Sequence, residues 1–139
     1  MRIMAIDYGD AHTGVAVSDP TGLLAGFTAV IDAYRPEAVA ERLAALAAEH
    51  GAEELVLGHP LNMDGTRGPR AEKAEAMKAL LEKVTALPVV LWDERRTTID
   101  AHQILLGAGK NAKKRKKVVD AVAASLILEG YLTYKKSHG

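Results

Sequence analysis

The sequence contains no cysteine, which excludes disulfide bonds, thiolate metal ligands and cysteine nucleophiles. It also lacks any apolar run near the roughly 18 residues that a membrane span requires. The first residues lead directly into a strand-like segment, so no signal peptide is predicted. These absences lead us to expect a protein of the cytoplasm that does not associate with membranes.

Aromatic residues are scarce, with one tryptophan, one phenylalanine and four tyrosines. Proteins that hold single-stranded nucleic acid commonly stack its bases on aromatic side chains. If nucleic acid is the partner of this chain, we therefore expect it to recognise the backbone or the shape of the strand rather than the base sequence.

Net charge is absent too, because eighteen lysine and arginine residues balance eighteen acidic residues. The charges are unevenly distributed, and six of the cations lie close together: Lys110, Lys113, Lys114, Arg115, Lys116 and Lys117. The rest of the chain has twelve cations and eighteen acids, so its net charge is negative. The basic segment is either a solvated loop or a surface that contacts phosphates, and its place just before Asp120 favours the second interpretation.

The hydrophobic pattern predicts five strands, at residues 2–6, 13–17, 23–30, 54–58 and 87–92. It predicts helices at 36–50, 71–85, 98–106 and 118–134, a long turn at 59–69 and a mobile basic loop at 107–117. The order of the main elements, β-β-β-α-β-α-β-α, favours an α/β fold with a mixed five-stranded sheet flanked by helices. At 139 residues, 48% of them apolar, we expect residues 1–139 to form a single domain.

Three carboxylates lie in or beside apolar segments that are far apart in the sequence. Asp7 ends the first strand, Glu94 follows the last strand, and Asp120 lies in the final helix. Each alone has an ordinary explanation, because a strand can end in solvent and an acid near a helix start offsets the helix dipole. A buried charge costs several kcal/mol unless it is paired or bound to metal, so three such acids suggest one shared site. Carboxylates are the ligands that Mg²⁺ or Mn²⁺ prefers, and we predict a divalent-metal site.

Four motifs in a fixed order cover nearly the whole chain. They are Asp7-Tyr-Gly-Asp-Ala-His-Thr-Gly-Val-Ala-Val-Ser-Asp19, Gly58-His-Pro-Leu-Asn-Met-Asp-Gly65, Asp93-Glu-Arg-Arg-Thr-Thr98, and Lys113-Lys-Arg115 leading into Asp120-Ala-Val-Ala-Ala124. In these motifs the sequence resembles the YqgF/RuvX family of Holliday junction resolvase-like proteins and pre-16S rRNA nucleases. The resemblance implies a ribonuclease H-like fold and a metal-dependent phosphodiester hydrolase.

By this resemblance, Asp7, Glu94 and Asp120 match the metal-binding, catalytic acids of the family. Asp93 is the alternative to Glu94, because the sequence does not tell which of the two points into the site. The implied mechanism is attack on phosphorus by a water that Mg²⁺ or Mn²⁺ activates.

Other residues of the motifs and of the basic segment are predicted to contact nucleic acid. They are His12, Asn62, Arg67, Arg95, Lys113, Lys114, Arg115, Lys116 and Lys117. For the residues outside the basic segment the alternative is a structural or surface role, such as a glycine-dependent turn at 62–67.

The chain departs from the family pattern at two positions. Many relatives carry arginine where this chain has His12, and leucine where it has His59. Arginine keeps its charge, whereas histidine titrates near pH 6.5, so substrate affinity is expected to be weaker or more dependent on pH. His12 can still donate to a phosphate oxygen, or it can be only a polar residue of the hairpin.

Several functions stay open at this point. The resemblance implies trimming of the 5′ end of pre-16S rRNA, with cleavage of four-way DNA junctions as the alternative. Symmetric cleavage of a junction requires two active sites, most simply in a homodimer. Another candidate is a non-catalytic nucleic-acid-binding factor. The last is one half of a nucleotide-binding ATPase, because Asp7-Tyr-Gly9 resembles the first phosphate turn of sugar kinases.

Overall fold

The computed structural model describes residues 1–19, 25–96 and 112–138, and it describes their side chains except at 25, 96, 112–120 and 138. The strands are β1 (Ile3–Asp7), β2 (His12–Ser18), β3 (Ala25–Asp32), β4 (Glu54–His59) and β5 (Val89–Asp93). The helices are α1 (Pro36–Glu49), α2 (Pro69–Val84) and α3 (Ala112–His138), and a 3-10 turn (Glu94–Arg96) follows β5.

The strands form one mixed sheet in the order β3-β2-β1-β4-β5. β1, β2 and β3 pair antiparallel, whereas β4 runs parallel to both β1 and β5. The carboxyl ends of β1, β4 and β5 therefore lie at the same edge of the sheet, where ligands of such folds commonly bind. The predicted mixed five-stranded sheet is confirmed.

The two faces of the sheet are covered by different helices. Met4, Ile6, Leu55 and Leu57 belong to the apolar cluster that contains α1 and α2. The strand residues between them face the other way and pack against α3. Because side chains alternate along a strand, this pattern also fixes the face on which each residue at the carboxyl edge lies.

The chain starts its first two helices at proline, with Pro36 and Pro69 in their first turns. Proline suits this position because it has no N–H to leave unpaired and its fixed φ matches the helix. Along α1, Val39, Leu43 and Ala47 recur every four residues and are buried.

Among the described residues, no helix is long and apolar enough to cross a membrane.

The predicted basic loop is wrong over residues 112–117, which form the first turns of α3. Lysine and arginine are good helix formers, and no glycine or proline after Gly109 separates them from the apolar residues that follow. The remaining predicted loop residues, 107–111, and the predicted helix at 98–106 lie outside the described residues. Smaller differences concern β3, which extends two residues further than predicted, and α2, which begins two residues earlier.

The turn between β1 and β2 depends on Gly9. A Cβ atom at this position would lie 2.5 Å from the backbone oxygen of His12, a distance that no real Cβ contact shows. The backbone of the turn therefore has to move to accept any other residue.

We expect Gly9→Ala to lower the free energy of unfolding by about 1–3 kcal/mol, the usual cost of forcing an extra carbon into a packed site. Urea denaturation measures the effect. A Gly9→Ala protein as stable as the unaltered protein would contradict this account.

Candidate active site at the carboxyl edge of the sheet

Asp7 is the last residue of β1 and pairs in register with Gly14 of β2. Ile3 and Ala5, which precede it on the same face, pack against α3. The alternation therefore directs the half-buried Asp7 side chain to the α3 face of the sheet.

The two acids after β5 lie in different environments. Both carboxylate oxygens of Asp93 accept hydrogen bonds from the Arg95 guanidinium, at 2.7–3.1 Å. Asp93 follows Val89 and Leu91 on the α2 face. Glu94 belongs to the 3-10 turn, and its carboxylate lies over Gly58 beside Ile127 of α3, on the α3 face. Of the two candidates, Glu94 is thus the acid directed toward Asp7.

A glycine makes room for Glu94 on the neighbouring strand. A Cβ atom at Gly58 of β4 would lie 3.0 Å from the Glu94 carboxyl carbon and 2.8 Å from Ile127 Cδ1 of α3. The Glu94 carboxylate and the buried Ile127 side chain therefore both occupy the space over the bare backbone of β4. This close approach is possible only because the residue has no side chain.

Burial and like charge both act on Glu94. Its pKa is raised to about 7, first because the carboxylate is removed from water and second because the negative charge of Asp7 is near. Asp93 acts in the same direction, whereas the Arg70 cation opposes the shift. Two acids that disfavour each other's charge are a natural place for a cation, and oxygen donors of this kind suit Mg²⁺ or Mn²⁺.

The third predicted acid, Asp120, lies in α3, and its side chain is outside the described ones. Its position in the helix is four residues before Ala124 and seven before Ile127, both of which pack on the sheet. Among the side chains that the structure describes, no group of three or more potential metal ligands is found.

Three of the predicted nucleic-acid contacts hold the loop between β4 and α2 in shape. The Asn62 amide donates to Thr66 Oγ1 at 2.8 Å, and Arg95 Nη1 donates to the Met63 carbonyl at 3.4 Å. Arg67 binds Glu75 with two donors, one of them, Nε, 2.7 Å from Oε2. Their predicted role toward nucleic acid stays a prediction, and their contacts within the protein brace the rim of the site.

The two unusual histidines also have partners within the protein. His12 Nδ1 lies 2.5 Å from Oδ1 of Asp32, its register partner at the end of β3. His59 Nε2 lies 2.7 Å from Glu75 Oε2, and Glu75 has its pKa lowered to about 2 by its bonds to Arg67 and His59. By the strand alternation, His59 lies on the α2 face, opposite to Glu94.

The first turns of α2 contribute two cations that the sequence reasoning missed. Arg70 and Lys73 line a cavity of about 240 Å³ together with residues 8–12 of the hairpin turn. Their spacing of three residues puts them on one face of the helix, which was the available signal. The five basic residues at 113–117 lie in the first turns of α3, and their side chains are outside the described ones.

The fold of this chain has a counterpart among solved structures. The structure is similar to that of a RuvC protein from T. thermophilus solved in complex with a Holliday junction substrate, with a TM-score of 0.64 over 97% of this chain and 96% of that one. At 15% sequence identity this similarity establishes the fold, which is ribonuclease H-like.

Sequence comparison then gives the family. The model of the family described as "RuvX: Holliday junction resolvase" matches residues 1–134, so the chain belongs to the RuvX family. A relative from Halothermothrix orenii is 47% identical over 140 residues, covering 100% of both chains. Another from Geobacillus kaustophilus is 46% identical over 138 residues, covering 98% of this chain and 100% of the relative. Both carry names that give pre-16S rRNA nuclease as a provisional activity. The chain is a nuclease, a hydrolase of phosphodiester bonds.

The raised pKa of Glu94 predicts how the metal-free protein responds to pH. The unfolded chain loses this proton near pH 4.5 and the folded chain near pH 7, so the folded state binds more protons between these values. The free energy of unfolding should therefore fall as pH rises through this window, by up to about 3 kcal/mol at 1.36 kcal/mol per pKa unit. Glu94→Gln should remove this component. Urea denaturation in EDTA at pH 5 and pH 8 measures it, and equal pH dependence in both proteins would refute the assignment.

The close contact over Gly58 predicts a separation of activity from stability. Gly58→Ala should displace the Glu94 carboxylate and lower nuclease activity at least tenfold, with a loss of about 1–3 kcal/mol in stability from overpacking. The double variant Gly58→Ala/Ile127→Val removes the crowding at Cδ1, so it should regain stability but not activity. Activity measured alongside urea denaturation distinguishes the two effects. Full activity in the double variant would show that Gly58→Ala lowers activity through the clash with Ile127 and not through displacement of Glu94.

Proposed function

We propose that this protein is a divalent-metal-dependent nuclease that trims the 5′ end of pre-16S rRNA during ribosome biogenesis in the cytoplasm. The observation that carries the metal dependence is the Glu94 carboxylate held over Gly58 beside Asp7. The names of the relatives support the RNA substrate.

Asp7 and Glu94 would hold Mg²⁺ or Mn²⁺, with Asp120 of α3 as the third ligand. When bound, such an ion lowers the pKa of water and stabilises the negative charge of the leaving oxygen. These residues suit such an ion, because all three are carboxylates. The negative charges of Asp7 and Glu94 repel each other, and a bound cation would relieve this repulsion.

The residues around the two acids position the acids and bind the substrate strand. Ile127 closes the α3 side of Glu94 and excludes water from it. On the other face, Arg95 donates hydrogen bonds to Asp93 and to the loop carbonyl of Met63. These bonds hold the Asp93 carboxylate on the face opposite to Glu94. The basic residues Lys113 to Lys117, in the first turns of α3, would lie along the incoming phosphate backbone.

Cleavage of four-way DNA junctions is the second candidate, because the family model is described as a Holliday junction resolvase. This activity needs two active sites, so it further requires a homodimer.

The decisive experiment compares cleavage of a labelled pre-16S rRNA 5′ segment and of a four-way DNA junction in Mg²⁺, Mn²⁺ and EDTA. Asp7→Asn and Glu94→Gln should each lower metal-dependent cleavage by about 10²-fold or more, as loss of one charge-stabilising group commonly does. They should also weaken Mn²⁺ binding measured by calorimetry.

The control is Glu82→Gln, the same chemical change at an exposed ion pair with Lys78 on α2. It should behave as the unaltered protein. Cleavage that persists in EDTA, or that survives both acid substitutions, would refute the metal-dependent mechanism. Preference for the junction over the RNA would select the second candidate.

A further inference from the structure

The cavity beside the hairpin turn has no role in the chemistry described above. Its volume is about 240 Å³, and its walls are residues 8–12 of the turn and Arg70 and Lys73 of α2. Drug-sized ligands commonly occupy about 300–1,000 Å³, so this cavity suits a smaller group such as one phosphate with part of its sugar.

The cavity lies next to the candidate active site. Its hairpin wall starts at Tyr8, which directly follows Asp7 in the chain. Arg70, on the opposite wall, is close enough to Glu94 for its positive charge to oppose part of the rise in the pKa of that carboxyl group. A ligand in the cavity would therefore sit beside the two acids.

The wall formed by α2 is cationic. The guanidinium of Arg70 presents a planar set of donors that matches the oxygens of a phosphate. Lys73 Nζ donates to Asp10 Oδ1 at 2.6 Å, but the two side chains are 55% and 79% exposed. Exposed ion pairs contribute little, and an ammonium group has three donors, so Lys73 can bind an anion while it keeps Asp10.

The start of α2 adds to this field. Arg70 and Lys73 lie in the first turns of a 16-residue helix whose N-cap residue, Gly68, makes no side-chain capping bond. The N-terminus of a helix carries partial positive charge and attracts anions. Side-chain and backbone charges thus favour the same ligand.

We propose that this cavity, which we call the phosphate pocket (residues 8–12, Arg70 and Lys73), binds a phosphate of the substrate strand next to the scissile one. The identity of the ligand as a nucleic-acid strand rests on the proposed function. Acids at the strand ends repel a polyanion, and two cations within reach of the adjacent phosphate offset this repulsion and fix the register of the strand. The phosphate is either a diester within the strand or a monoester at its 5′ end.

The test measures binding without cleavage. A 3′-labelled single-stranded RNA, with either a 5′-hydroxyl or a 5′-phosphate, is titrated in EDTA with the full chain and followed by fluorescence anisotropy at several salt concentrations. Arg70→Gln and Lys73→Gln should each weaken binding about 3- to 10-fold at low salt. Each should also reduce the slope of log affinity against log salt by about 0.7, the value for one lost phosphate contact on a single strand.

Matched variants keep the result interpretable. Lys78→Gln makes the same change of charge on the same helix, at an ion pair with Glu82 that does not line the pocket, and should leave affinity and slope unchanged. Asp10→Asn removes a carboxylate from the wall and should tighten binding. Arg70→Lys keeps the charge without the planar fork and should retain part of the affinity.

A loss confined to the 5′-phosphorylated RNA would assign the pocket to a terminal monoester, and a loss with both RNAs would assign it to a backbone diester. The inference is overturned if Arg70→Gln and Lys73→Gln bind with unaltered affinity and slope, or if Lys78→Gln loses as much as they do. Because no cleavage is needed, failure of the metal-dependent nuclease proposal would leave this result readable.

Discussion

Two carboxylates that repel each other are held side by side at one edge of the sheet, and much of the architecture serves to keep them there. Parallel pairing of β1, β4 and β5 brings the strand ends together. Gly58 leaves space above the middle strand, and Ile127 closes that space from α3. The contacts that hold Glu94 in place also remove its carboxylate from water. The same packing therefore positions this side chain and raises its pKa.

Much of this arrangement could be predicted from the sequence because it depends on local pattern. The strands that carry Asp7 and precede Glu94 are short apolar runs with clear boundaries, and parallel strands meet at their carboxyl ends. Those two facts were enough to predict that the two acids lie at one edge. Asp120 was predicted as the third acid from its place in an apolar segment of the last helix, and the resemblance to a known family pointed to the same three residues.

The choice between Asp93 and Glu94 could not be made in this way. Both faces of β5 are apolar, as is usual for strands covered on two sides, so the sequence does not mark which face carries the site. The basic run before Asp120 was equally ambiguous, since lysine and arginine suit both a solvated loop and a helix start. Arg70 and Lys73 gain their meaning only from a hairpin some sixty residues earlier, a contact that no local pattern contains.

The two faces of the sheet also divide the work of the molecule. Glu94 and Ile127 lie on the α3 face, whereas the Arg67–Glu75–His59 network and the Asp93–Arg95 clamp lie on the α2 face. The sheet therefore separates the side chains that pack around Glu94 from those that set the shape of the loop between β4 and α2. A substitution in the rim, for example at His59, therefore leaves the packing of Glu94 over Gly58 and beside Ile127 in place. The shape of that loop can vary while the packing around the two acids stays the same.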